Sequence, residues 1–184
     1  MRSLQIRAFS ILASCALLTG CLVSEEPVLD ASNGRAKPFR EGPYVMCPVN
    51  DEADECQAMN VERDATGLYS FVAESEAPTR MRFRRIGRRG YAVQSQEDDG
   101  YAYYYGAGDS RRFHLTMMMC PDLPAVLRAR LIERGDLETE DDNFETCIVK
   151  SRNGLTAAAK AYHRGEAESA EAIAFVFTPR PDSE

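Results

Sequence analysis

Between residues 44 and 120, hydrophobic and polar positions alternate with a period of two, the spacing of a half-buried β-strand. Residues 67–73 (GLYSFVA) are rich in the aromatic and β-branched side chains that fit a pleated surface. Met81 and Phe83 alternate with Arg80, Arg82 and Arg84, and Tyr91 and Val93 alternate with Gln94 and Gln96 after a turn at Gly90. Asp99-Gly100 closes an acidic run and is a hairpin dipeptide; it leads into a strand holding Tyr101, Tyr103, Tyr104 and Tyr105. Phe113, Leu115, Met117 and Met119 share one face of a last long strand. Short strands joined by charged or glycine turns predict an antiparallel meander, curled into a barrel-like sheet or backed by helices.

The period changes after Cys120. Asp122-Leu123-Pro124 is a helix-start signal, Leu123, Leu127 and Leu131 follow four apart with Val126 and Ile132 beside them, and Gly135 closes the helix. Residues 144–150 predict a short strand holding Cys147. Residues 155–164 predict an alanine-rich helix with Leu155, Ala158, Ala159 and Tyr162 on one side, stopped by Gly165. Residues 173–178 are apolar and β-prone up to Pro179. The expected class is α+β, a meander followed by two short helices and C-terminal strands.

The first residues form an address. Arg2 and Arg7 precede an apolar run at 8–18 (AFSILASCALL), about half of what a helix needs to cross a bilayer. The run ends in Leu18-Thr19-Gly20-Cys21, which resembles the lipobox of bacterial lipoproteins: an aliphatic residue, two small ones, then the cysteine. The resemblance covers residues 1–21. It implies that residues 1–20 are a signal peptide, that Cys21 carries the covalent lipid, and that two or three acyl chains anchor the protein to a membrane. Leu22 in place of an aspartate implies the outer membrane, facing the periplasm. Residues 21–43 contain three prolines, two glycines and no sustained apolar period, so they predict a lipidated flexible tether. A single globular domain over 44–180 and a tail at 181–184 complete the expected organisation.

Composition then changes the picture in two ways. The chain has 184 residues and six cysteines. Cys15 leaves with the signal peptide and Cys21 is taken by the anchor, so Cys47, Cys56, Cys120 and Cys147 remain as two disulfides. Three connectivities are open, and pairing neighbours, Cys47 with Cys56 and Cys120 with Cys147, closes the shortest excursions. The formal charge is −7, which argues against a nucleic-acid partner. Residues 80–112 nevertheless hold eight arginines against four acids. Arg80, Arg82, Arg84, Arg85, Arg88 and Arg89 form a candidate patch for an anionic partner, a lipid head group or an acidic protein, because the arginine fork binds carboxylate and phosphate bidentately. A solvated outer strand face is the competing account.

Other candidates are weaker. His114 faces away from the Phe113–Leu115 row, and Gly108-Asp109-Ser110 is not a nucleophile elbow. His163 suits a helix C-terminus. From Asp136, an EF-hand would need glycine at the sixth position and glutamate at the twelfth, where Asp141 and Cys147 stand, so no metal is expected. Tyr101, Tyr103 and Tyr105 fall on one face and are expected to pack in the core. No catalytic residue and no cofactor beyond the lipid is expected. The expected role is non-catalytic binding or support in the envelope. The alternative is an inhibitor of a lysozyme-like enzyme, because small envelope β-barrel lipoproteins that block host lysozymes resemble this chain in size, anchor and disulfide use. Their Ser-Gly loop is not evident here, where Gly106-Ala107-Gly108-Asp109 stands. An envelope enzyme using His114 is the third reading.

Overall fold

The computed structural model describes residues 20–49, 56–74, 76–139, 146–168 and 174–180. Among the described residues there are eleven strands and two helices: β1 (Leu22–Ser24), β2 (Gly42–Pro48), β3 (Gln57–Arg63), β4 (Tyr69–Ala73), β5 (Thr79–Gly87), β6 (Gly90–Glu97), β7 (Gly100–Asp109), β8 (Arg112–Met117), α1 (Ala125–Glu133), β9 (Leu137–Thr139), β10 (Cys147–Val149), α2 (Arg152–His163) and β11 (Ala174–Pro179). Strands β2 to β8 run as a meander, each antiparallel to the next, and β11 pairs with both β8 and β2. The result is a closed eight-stranded antiparallel barrel, which removes every sheet edge from that part of the fold.

The period-two pattern explains its interior. Tyr69 and Phe71 of β4, Met81 and Phe83 of β5, Tyr91 and Val93 of β6, Phe113, Leu115 and Met117 of β8 and Phe177 of β11 all point inward and are buried. Phe39, from the segment before β2, plugs the centre. Its ring lies 4.7–6.0 Å from those of Tyr44, Tyr69, Phe71, Phe83, Phe113 and Phe177.

A second core lies outside the barrel. Helix α2 lays Leu155, Ala158, Ala159, Ala161 and Tyr162 into a cluster with Ala92 of β6 and Tyr103 of β7. Tyr103 is fully buried, and Tyr101 and Tyr105 are partly buried against the same cluster, as the shared face predicts. Tyr104 alone turns into the barrel. Ser151 caps α2 by accepting the Gly154 N–H at 3.0 Å and donating to Asp136. Both helices end on glycines in the left-handed region, Gly135 at φ 69° and Gly165 at φ 68°. Asp122 is not the cap of α1, which has no side-chain cap; its carboxylate accepts the Tyr162 hydroxyl at 3.0 Å.

The disulfides join neighbours, Cys47 to Cys56 and Cys120 to Cys147. The tether is corrected. β1 lies between β7, antiparallel, and β10, parallel, and Leu22 and Leu29 are fully buried. The Ser24 hydroxyl bonds that of Tyr103 at 2.6 Å. Buried Gln94 accepts the Val28 and Leu29 N–H groups at 2.9 and 2.7 Å and donates to the Leu29 carbonyl at 3.1 Å. Few apolar residues are needed when each enters a prepared site, so the segment lacks a period and is still ordered.

Candidate functional site: the arginine end of the barrel

Because Met81 and Phe83 point inward, Arg80, Arg82 and Arg84 point outward, but they do not form a free stripe. Arg82 donates to the Thr66 carbonyl and hydroxyl at 3.1 and 3.2 Å, and Arg84 donates to the Asn33 carbonyl at 3.2 Å. These two arginines clamp the β3–β4 turn and the segment before β2. Arg80 stands near the other end of the strand, opposite Gln96. The register of β5 shifts between Arg85 and Gly87, and Arg85 comes to rest 5.8 Å from the Tyr91 ring centre. Arg63 lies 5.6 Å from the Tyr69 ring centre at the same end.

The exposed charge gathers at the turns of that end. Arg88 and Arg89 occupy the β5–β6 turn, Arg111 lies in the β7–β8 turn and Arg112 opens β8. The Gly108 N–H bonds the Arg89 carbonyl at 2.9 Å and joins the two turns. Arg40 precedes β2 and Arg180 follows β11; the Arg180 N–H bonds the Pro43 carbonyl at 3.0 Å, and the Tyr44 hydroxyl donates to the Ser110 carbonyl at 3.2 Å. Six arginines from four separate segments therefore share one rim with the acids Glu41, Asp64 and Asp109. Asp109 accepts the Arg111 N–H at 3.0 Å and pairs with Arg89 at 3.1 Å; that hydrogen bond first, and the Arg89 charge after it, hold its carboxyl below the usual range. Among the described residues no ion pair involves Arg40, Arg88, Arg111, Arg112 or Arg180.

His163 holds this rim from behind. Its ring lies against Gly87 and Gly90 so closely that a Cβ would come within 2.4 and 2.6 Å of it. Its Nδ1 hydrogen-bonds the Tyr105 hydroxyl at 2.9 Å. His163 thus ties α2 to the Arg88–Arg89 turn, a packing role that goes beyond a contact with the helix dipole. The arrangement provides an exposed set of guanidinium forks suited to carboxylates or phosphates.

The chain has no match among known proteins: no family model, no curated protein and no solved structure is similar to it.

The opposite end differs in charge and shape. Glu97, Asp98 and Asp99 form the β6–β7 turn and Glu74 and Glu76 follow β4. Gly100 packs against the Ser24 carbonyl, which brings Glu25 beside them. Burial first, and Asp98 after it, push the Glu97 carboxyl up. An apolar cleft opens there between Met46, Met59, Phe71, Met81 and Phe175, with a cavity volume of only about 20 Å³. That is well below the roughly 300 Å³ of a typical small-molecule site.

The remaining candidates are dispersed. Cys21 is buried, its sulfur 3.3 Å from the Met117 sulfur and 4.0 Å from that of Met119. His114 is half-buried on the outer face between Ala107 and Val176; burial first, then Arg112, lowers its pKa. Glu138 pairs with Lys150 at 3.0 Å, and Asp136 pairs with Arg134 at 3.0 Å, while Glu140, Asp141 and Asp142 lie outside the described residues. Among the described residues no group of three His, Cys, Asp or Glu side chains is placed to hold a metal. Sequence reasoning missed Arg40 and Arg180, each isolated in its own segment, because nothing short of barrel closure brings them to the rim.

Proposed function

We infer that the chain is an exported, lipid-anchored protein of the cell envelope with a non-catalytic binding role, and that it meets its partner through the arginine end of the barrel. The observation that carries this reading is the convergence of Arg40, Arg88, Arg89, Arg111, Arg112 and Arg180 on one rim of a chain whose formal charge is −7. Like charges crowd at a cost unless something opposes them, and a partner bearing carboxylates or phosphates would do so. The two disulfides support an oxidising compartment. The lipobox-like residues 18–21 support a lipid on Cys21, and Leu22 supports the outer membrane, facing the periplasm. A diacylglyceryl group on the sulfur needs room that Met117 and Met119 do not leave. Lipidation therefore requires Cys21 to leave its contact with Met117 and Met119.

Fatty-acid labelling of the wild type and of Cys21→Ser tests the anchor, with label expected in the first and not the second. Arg88→Glu with Arg111→Glu tests the rim. Capture of the partner is expected to fall at least tenfold while the thermal transition stays in place, and undiminished capture would sink the idea. The closed eight-stranded barrel supports one second reading, the inhibitor of a lysozyme-like enzyme, because small envelope lipoproteins that block lysozymes are β-barrels too. Full lysozyme activity at high micromolar Cys21→Ser protein would remove it.

A further inference from the structure

We propose that the arginine rim is held away from the anchoring bilayer and docks an acidic surface of another envelope protein, not the head groups of the membrane in which the chain is anchored. This rests on the lipid-anchor reading. A flexible tether of about twenty residues would span roughly 25 Å and let the barrel turn any face to the lipid. The observed chain has no such slack. Leu22, the residue after Cys21, is already buried in β1, and β1 is paired on both sides, Val23 with Ala102 of β7 and Leu22 with Cys147 of β10.

Distance then decides which anion the rim can feel. Cys21 is bridged to Met119, and Arg112 lies seven residues back along β8 and its extension. At about 3.3 Å per residue, that separates the anchor from the rim by about 23 Å. The Debye length at physiological salt is about 8 Å, so attraction between the rim and phosphates at the anchor is screened. Charges of both signs lie near the anchor: Arg128 donates to the Cys120 carbonyl at 3.1 Å, and Glu25 and Glu26 directly follow β1. The make-up of the rim selects among partners beyond the membrane. Asp109, Glu41 and Asp64 stand among its arginines. A protein surface of mixed charge, dominated by carboxylates, can match both signs.

The test uses the full chain, lipidated in cells, with poly-L-glutamate and phosphatidylglycerol vesicles as probes. In neutral phosphatidylcholine vesicles the lipidated chain is expected to bind poly-L-glutamate, at least tenfold more weakly with Arg88→Glu and Arg111→Glu. With phosphatidylglycerol in the vesicles, the lipidated wild-type chain is expected to bind poly-L-glutamate within about twofold of its affinity in the neutral ones, because the rim does not reach the head groups. A loss of about tenfold on adding phosphatidylglycerol, or no binding of poly-L-glutamate in either vesicle, overturns the proposal. A fluorescent residue in place of Ser110 reports the stand-off. It is expected to escape quenching by head-group spin labels that quench the same residue in place of Glu26, and equal quenching at the two positions overturns the geometry. Failure of the anchor reading shows separately, as a wild-type chain with no lipid mass on Cys21.

Discussion

Phe39 concentrates more of the fold than any other single side chain. It touches six aromatic rings at the centre of the barrel, and its carbonyl accepts the buried Tyr69 hydroxyl at 3.1 Å, whose pKa burial pushes up to about 12. Phe39→Ala would leave a void that the closed wall cannot collapse around, so a loss of about 3–5 kcal/mol is expected in urea unfolding. Nothing in residues 22–43 advertises this role, because periodicity reveals a face only when several neighbours share it. His114 makes a second prediction at this scale. Its folded pKa lies below the ordinary 6.5, so the neutral ring is favoured in the native state. The stability this contributes is full above the unfolded value and is lost as pH falls through the folded one. Between about pH 7.5 and about pH 5.5 the wild type should therefore lose more of its urea midpoint than His114→Gln does. An equal loss in both would contradict this assignment.

Among the elements, the strands of the meander were legible because one face of each is buried and the other solvated. β1 was not, because three residues are too few to show a period and its partners, β7 and β10, are remote in sequence. Both disulfides join sequence neighbours, and their separations of 9 and 27 residues set how much each restrains the unfolded chain. On chain entropy alone, removing Cys47–Cys56 costs about 2.7 kcal/mol and removing Cys120–Cys147 about 3.6 kcal/mol. Paired serine substitutions are expected to lower the melting temperature in that order. The second bridge also ties the end of the meander to β10, so its loss should free β1 as well, seen as faster hydrogen exchange at Leu22 and Val23.

Across the whole molecule, closure of the barrel separates the charges. One side carries Arg88, Arg89, Arg111 and Arg112 in or beside its turns, and turns on the other carry Glu74, Glu76, Glu97, Asp98 and Asp99. An interface built on such a rim should weaken with ionic strength. Poly-L-glutamate binding is expected to fall steeply between about 50 mM and about 500 mM salt, and the slope should flatten in Arg88→Glu with Arg111→Glu. A salt-independent affinity would mean that apolar contacts dominate.

By itself the sequence determined the α+β class, the inward faces of the strands, the favoured pairing of the cysteines and the presence of a basic region on an acidic chain. Those features depend on neighbours along the chain, on the two-residue alternation of a strand and on short loop closures. Tertiary structure alone decided that the meander closes through β11, that the segment before β2 is core and not tether, and which arginines act together. Arg82 and Arg84 were drawn into internal hydrogen bonds, while Arg40 and Arg180 joined the rim from distant segments. Such groupings depend on where strands end in space, and the local pattern of residues carries no record of that.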